Sequence, residues 1–356
     1  MSETSRQSAT APRDMGALAP RLILPGLCIL LVLTVTYAVT LGRYEIGFVD
    51  VWLILLDNLV PLGDASWTEL EESVVELVRL PRILAALLIG AGLAVSGAAL
   101  QGLFRNPLVD PGIIGVTSGA AFGGTLAILT IGAGYPMLAI AFAFGIGSML
   151  VVRFLASYKG RTSILTLVLS GVIVSAFFEA SISIIKLMAD PHQKLPAITY
   201  WLMGSVASTN YRDLALIALA ILPASVVIYA LRYQINILSL GEDKARALGS
   251  PVMLVQWLVF ACTAFISAGV VATSGIIGWV GLVIPHAARA LVGAEHGRLL
   301  PASALMGAIY MILVDTVART LTEAEIPIGI ITALIGVPVF ALLLRRLQRT
   351  SGWGND

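Results

Sequence analysis

Long apolar runs broken by short clusters of charge dominate the chain, and their spacing sets the elements. A membrane-crossing helix needs about 20 predominantly apolar residues. Charged residues delimit such stretches at 22–41, 83–104, 162–188, 214–231, 299–318 and 326–344. Two further uncharged runs, 111–152 and 247–288, are about twice the length of one span, so each has to fold back once. Turn residues mark where, at Gly132-Ala133-Gly134-Tyr135-Pro136 in the first and Thr273-Ser274-Gly275 in the second. The pattern predicts an all-α integral membrane protein of ten transmembrane helices. Its membrane domain covers 21–347, between polar tails at 1–20 and 348–356. The first run is too long for the core of a cleaved leader and lacks a small-x-small site after it, so it is read as a retained span.

Ten spans place both termini on one side. Arg105, Arg153, Lys159, Arg161, Arg232, Lys244, Arg246, Arg289, Arg298, Arg345 and Arg346 fall on that side too, which predicts that it is cytoplasmic. The opposite side holds the loop 42–76, rich in Asp and Glu and with Arg43 as its basic residue short of Arg79. Composition agrees: 58% of residues are hydrophobic and 12% charged, and the mean hydropathy is +0.93. These values exclude a soluble enzyme. The net charge of +1, scattered along the chain, excludes a nucleic-acid partner. Cys28 and Cys262 lie in separate apolar runs and form neither a disulfide framework nor a metal motif. The 34 glycines fit close helix packing or a pore lined by backbone.

Candidate chemistry is sparse. No Gly-Lys-Ser/Thr occurs, so the chain has no phosphate-cradling loop and does not hydrolyse ATP itself. Glu179 and Asp315 are the acids inside apolar runs. Lys186 stands two turns from Glu179 and Arg319 one turn from Asp315, so each acid is either half of a structural pair or the coupling site of an ion-driven carrier or channel. The polar segment Leu240-Gly-Glu-Asp-Lys-Ala-Arg-Ala-Leu-Gly249 reads as a short amphipathic helix stopped by Gly249 and Pro251. It is suited either to docking on a partner or to an ordinary solvated loop.

Three motifs then carry a resemblance. The first is Arg79-Leu-Pro-Arg82 with Gly90, Gly92, Ser96-Gly97, Gln101, Arg105-Asn-Pro-Leu108, Pro111, Gly115 and Gly119-Ala120. The second is Gly278-Trp-Val-Gly-Leu-Val-Ile-Pro-His286 with Arg289. The third runs from Asp315 and Arg319 through Glu325-Ile-Pro-Ile-Gly329 to Gly336-Val-Pro-Val-Phe340. Together they resemble the FecCD-type permeases of ABC importers, which serve vitamin B12, haem and ferric siderophores, over nearly all of the chain after residue 20.

The resemblance implies the type II importer permease fold and a homodimer with two separate ATPase subunits and a periplasmic or extracellular substrate-binding protein, in a bacterial or archaeal cytoplasmic membrane. It implies no cofactor on this chain, with ATP and Mg used by the ATPase. It assigns ATPase coupling to Leu240, Gly241, Glu242, Asp243, Ala245, Arg246, Leu248 and Gly249 within 233–251. It assigns binding-protein docking to Arg79, Arg82 and Arg319, and a cytoplasmic gate to Asn106, Leu108, Thr162 and Ser163, though Thr162 and Ser163 also suit a helix cap. His286 belongs to a motif shared irrespective of cargo, which argues against a ligand role. The expected cargo is a metal chelate, with ferric siderophore first, then haem, then cobalamin. The longer acidic loop 42–76 departs from the best-known members.

Overall fold

The apolar runs become helices because, away from water, each backbone N–H and C=O has to find its partner within its own segment. A computed structural model describes residues 19–57, 60, 67–158, 161–162 and 164–350. Its helices are α1 (Ala19–Thr40), α2 (Phe48–Asp57), α3 (Glu69–Phe104), α4 (Val116–Thr130), α5 (Tyr135–Ala156), α6 (Ile164–Met188) and α7 (Lys194–Leu202). There follow α8 (Tyr211–Ala230), α9 (Arg232–Leu238), α10 (Glu242–Ala247), α11 (Val252–Ser274), α12 (Val280–Val292), α13 (His296–Thr320) and α14 (Ile328–Thr350). Seven are long and apolar enough to cross a membrane, and α4, α12 and α14 are shorter apolar helices. These ten coincide with the ten expected spans. Both expected reversals occur, at Ile131–Gly134 and at Gly275–Trp279.

Three features depart from the expectation. The span expected at 83–104 is the last part of a 36-residue helix that begins in the acidic loop. Thr68 starts it with a capping box, its hydroxyl accepting from Glu71 N while the Glu71 carboxylate accepts from Thr68 N. Pro81 does not end the helix because a wide π turn over Val74–Arg79 precedes it, with Leu80 N donating to Val75 O. The turn relaxes the strain of a proline ring inside a helix. Secondly, α4 and α12 are short, at 15 and 13 residues, because the irregular segments 105–115 and 275–279 enter the bundle before them. Thirdly, α2, α7 and α9 lie in connections for which the apolar pattern predicts no element.

Helix α3 is the axis of the bundle, packed against α13, α8, α12 and α11. Lipid tails are as apolar as leucine, so close approach rather than hydrophobicity holds membrane helices together. A Cβ built on Gly97 falls 1.8 Å from Gly281 O, and one on Gly90 falls 2.1 Å from Gly307 O. Gly90 and Gly97 of the first motif are therefore contact points between backbones, whereas Gly92 makes room for the Ile221 side chain and Gly119 for Ser148. Helices α6 and α14 lie at the margin. The former packs on α4, α5 and the 111–114 turn, the latter on α12 and α13.

Candidate functional site

The motifs converge on two faces of the bundle, one acidic in its loops and one basic, with the spanning helices between them. On the acidic face the ends of α1 and α13 meet α3 at its wide turn and the residues just after it. Arg79 donates to Val39 O at 2.8 Å, to Thr40 O at 3.2 Å and to Tyr44 O, binding the chain that leaves α1. Arg82 Nε lies 2.9 Å from Asp315 Oδ1 and 3.2 Å from Oδ2, and its Nη1 reaches Glu325 at 3.0 Å. Arg319 stands 3.8 Å from Asp315 Oδ2 and donates to Ala38 O. The i,i+4 spacing of Asp315 and Arg319 thus forms the expected pair, with Arg82 the nearer partner. Glu179 and Lys186 form no ion pair among the described residues.

The three docking candidates are brought together, but under the surface: Arg79, Arg82 and Arg319 are 3%, 5% and 5% exposed. Snorkelling to headgroups is excluded by that burial, and so is a free position on the rim. They line a cavity of about 210 Å³ with Arg43, Tyr44 and Glu325. Four arginines line it against the one lining carboxylate of Glu325, with Asp315 paired to Arg82 and Arg319, so positive charge is in excess.

On the basic face, Asn106 closes an Asx turn by accepting from Leu108 N at 2.9 Å, after Arg105 enters the left-handed region at φ 52°. Leu108 is exposed. The second connection expected to form the gate is a two-residue ladder in which Ser157 faces Thr162, so Thr162 belongs to a strand rather than a helix cap. Ser163 lies outside the described residues.

The 240–249 segment contains α10, a six-residue helix between Gly241 (φ +112°) and Gly249 (φ +76°). Gly249 ends it as expected, since the left-handed region is strained for any side chain. Arg246 pairs with Glu242 at 3.2 Å, and Gln256 of α11 donates to Glu242 at 3.0 Å. Ala245 is fully buried, whereas Asp243, Lys244, Ala247 and Leu248 are exposed. Leu240, Arg246 and Gly249 are exposed as well, so these residues make up the surface open to a partner, whereas Ala245 packs inside the chain.

A brace beside α10 escaped the sequence reading. The Asn236 side chain in α9 donates to Glu295 Oε1 at 2.9 Å, and its Oδ1 accepts from His296 N at 2.9 Å and from His296 Nδ1 at 2.6 Å. Glu295 also caps α13 through Gly297 N and Arg298 N. Burial pushes its carboxyl up, but these hydrogen bonds, with the Arg298 charge, outweigh it and hold the carboxyl below its ordinary value. An acidic residue immediately before a helical run was the available signal. Gln101 supplies a second tie, donating to Gly281 O and Leu282 O while accepting from Arg289 at 3.2 Å.

Between the two faces, α6 is exposed along half its circumference. One edge carries Ser175, Glu179 and Ser183 at four-residue spacing, with the exposed Val172 two turns before Glu179, and the other carries Ile173, Phe177, Ile184 and Met188. The Glu179 carboxylate has no hydrogen bond or ion pair with a described residue.

Residues 30–346 match the FecCD transport family. The molybdate import system permease protein MolB of Haemophilus influenzae is 47% identical over 328 residues, covering 92% of this chain and 96% of its own. A probable iron chelatin transport system permease of Helicobacter pylori is 42% identical over 271 residues, 76% of this chain and 82% of the relative. A solved structure assigned to the metal-chelate type of ABC transporter, in an inward-facing conformation, superposes with a TM-score of 0.82. It is 47% identical, over 92% of this chain and 100% of that one.

Proposed function

The chain belongs to the FecCD transport family, and on that footing we propose that two copies of it form the membrane half of an ATP-driven importer of metal chelates. It is a permease of an ABC importer, a multi-pass inner-membrane protein that works with a separate ATPase and a binding protein. The observation that carries the paired arrangement is Glu179. A carboxylate within an apolar helix costs about 2.5–3.5 kcal/mol or more against lipid. An exposed one without a partner therefore belongs beside water, and the polar edge of α6 facing its copy encloses such a path while the apolar edge meets lipid.

In this reading the basic face is cytoplasmic, with both termini on it. The exposed residues of α10 dock on the ATPase, and the 105–110 and 157–162 connections close the path. The positive cavity of the opposite face receives an acidic side chain of the binding protein. Arg43 stands at its rim, and Arg79, Arg82 and Arg319 hold its floor. Such charge complementarity sets register and encounter rate more than affinity.

For cargo, a ferric siderophore is favoured, ahead of haem and cobalamin. The 47% identity to a molybdate permease favours a second reading, an oxyanion. The experiment is ATP-dependent uptake into proteoliposomes holding this chain, its ATPase and its binding protein, with ferric siderophore, haem, cobalamin and molybdate offered in turn. Accumulation of one cargo that requires ATP identifies it. Accumulation driven by an ion gradient with no ATPase present overturns the importer in favour of a secondary carrier or channel.

A further inference from the structure

Apart from the sites above, the basic face carries a groove between the last turn of α5 and the first turns of α11. Arg153, Arg246, Pro251, Met253, Leu254 and Trp257 line it, and its volume is about 860 Å³. Its walls are membrane-facing: Met253 is 53% and Leu254 58% exposed, and Leu150 and Phe154 continue the apolar surface along α5. Its polar end is built from guanidinium groups. The Arg153 Cζ stands 3.8 Å from the centroid of the Trp257 ring, so the side chain is laid along α11 at the groove. No described residue accepts a hydrogen bond from that guanidinium or pairs with it, and all five of its N–H donors remain available. Arg246 contributes a second guanidinium, which spends one nitrogen on Glu242.

We propose that this groove binds one anionic phospholipid, its phosphate received by Arg153 and Arg246 and its acyl chains laid against Met253, Leu254 and Phe154. Two guanidinium groups against the single carboxylate of Glu242 leave one positive charge. A headgroup with one net negative charge matches that surplus, whereas a zwitterionic headgroup brings an ammonium that opposes it. A tryptophan at the boundary of a spanning helix belongs to the interfacial layer where headgroups lie, and basic pockets between spanning helices are where anionic headgroups bind. Because Arg246 sits on α10, the lipid touches the helix to which ATPase docking is assigned. The lipid would then be a ligand of the coupling region as well as of the bundle. The binding itself depends only on the groove and stands apart from the importer reading.

The test uses the full chain in nanodiscs and reads Trp257, isolated by subtracting Trp257→Phe. Brominated phosphatidylglycerol should quench it at lower mole fraction than brominated phosphatidylcholine. Arg153→Gln should weaken that preference about fivefold, the size expected of one basic residue at an anionic surface. Native mass spectrometry should find phosphatidylglycerol retained on the wild type and lost from Arg153→Gln, with the thermal midpoint of the variant unchanged. Equal quenching by the two lipids overturns the proposal, as does a preference that survives Arg153→Gln.

Discussion

Arg82 and Asp315, 233 residues apart, meet at 2.9 Å with their side chains 6% and 1% exposed. The contact fixes the start of the membrane part of α3 against the end of α13. Removing Asp315 leaves two buried guanidinium groups, Arg82 and Arg319, with Glu325 as the one carboxylate still paired to Arg82. Asp315→Asn should therefore destabilise the chain by about 3–5 kcal/mol. The double variant Arg82→Gln/Asp315→Asn should recover part of that loss. Thermal unfolding of the detergent-solubilised chain checks both.

Leu248, the residue that caps α10, is 63% exposed, whereas Ala245 within the helix is 0% exposed. Leu248→Asp should lower recovery of the ATPase by on the order of 1–2 kcal/mol of binding while leaving the unfolding midpoint in place. Ala245→Glu should lower the midpoint itself. Co-purification measured alongside thermal unfolding separates the two effects.

Gly97→Ala puts a methyl group 1.8 Å from Gly281 O and should destabilise by about 1–3 kcal/mol or more. Gly147, in α5, has nothing within 4 Å of a built Cβ. Gly147→Ala should be neutral or stabilise by up to about 1 kcal/mol through helix propensity. The pair of midpoints tests whether the glycines of the first motif are packing contacts.

Glu295 has its carboxyl held below the ordinary value of 4.5. The sign follows from linkage: the group binds its proton more weakly when folded, so its contribution is fully present above the unfolded value and is lost as pH falls through the folded one. Glu295→Gln should flatten the acid limb of stability between those two values and leave neutral stability lowered. A series of unfolding midpoints on descending pH, compared between the two proteins, reads this directly.

Span number and order were legible because uncharged runs of 20 residues have no alternative in a bilayer, and Gly132–Pro136 and Thr273–Gly275 announced the reversals. Helix α7 was not legible, since Lys194–Leu202 is too short and too mixed for its periodicity to exceed that of a loop. Of the site, the stop at Gly249 and the Asp315–Arg319 pair follow from local spacing. The burial of Arg79, Arg82 and Arg319 depends on α1, on the turn at 41–44 and on Glu325, which are remote in sequence, so nothing local distinguishes them from arginines at a membrane rim. Asn236 and Glu295 escaped for the same reason, their contact joining two connections separated by two spanning helices, α11 and α12.

The wide turn at 74–79 gives α3 two independent rotational settings on one axis. A π turn holds about one residue more than an α turn, and each residue of an α-helix advances by about 100°. Everything on the acidic side of the turn is therefore rotated by roughly that angle from where an unbroken helix would put it. The membrane part cannot rotate, because Gly90 and Gly97 lock it backbone to backbone against its neighbours. The outer part, with Glu69, Glu71 and Glu72, has no such lock, and α3 buries none of its residues between Glu69 and Ser73. Loss or gain of one residue at the turn would re-aim the whole acidic surface while the bundle below stayed unchanged. Along a lineage, the face turned to the outside can change orientation in single steps, and the machinery in the membrane need not change with it.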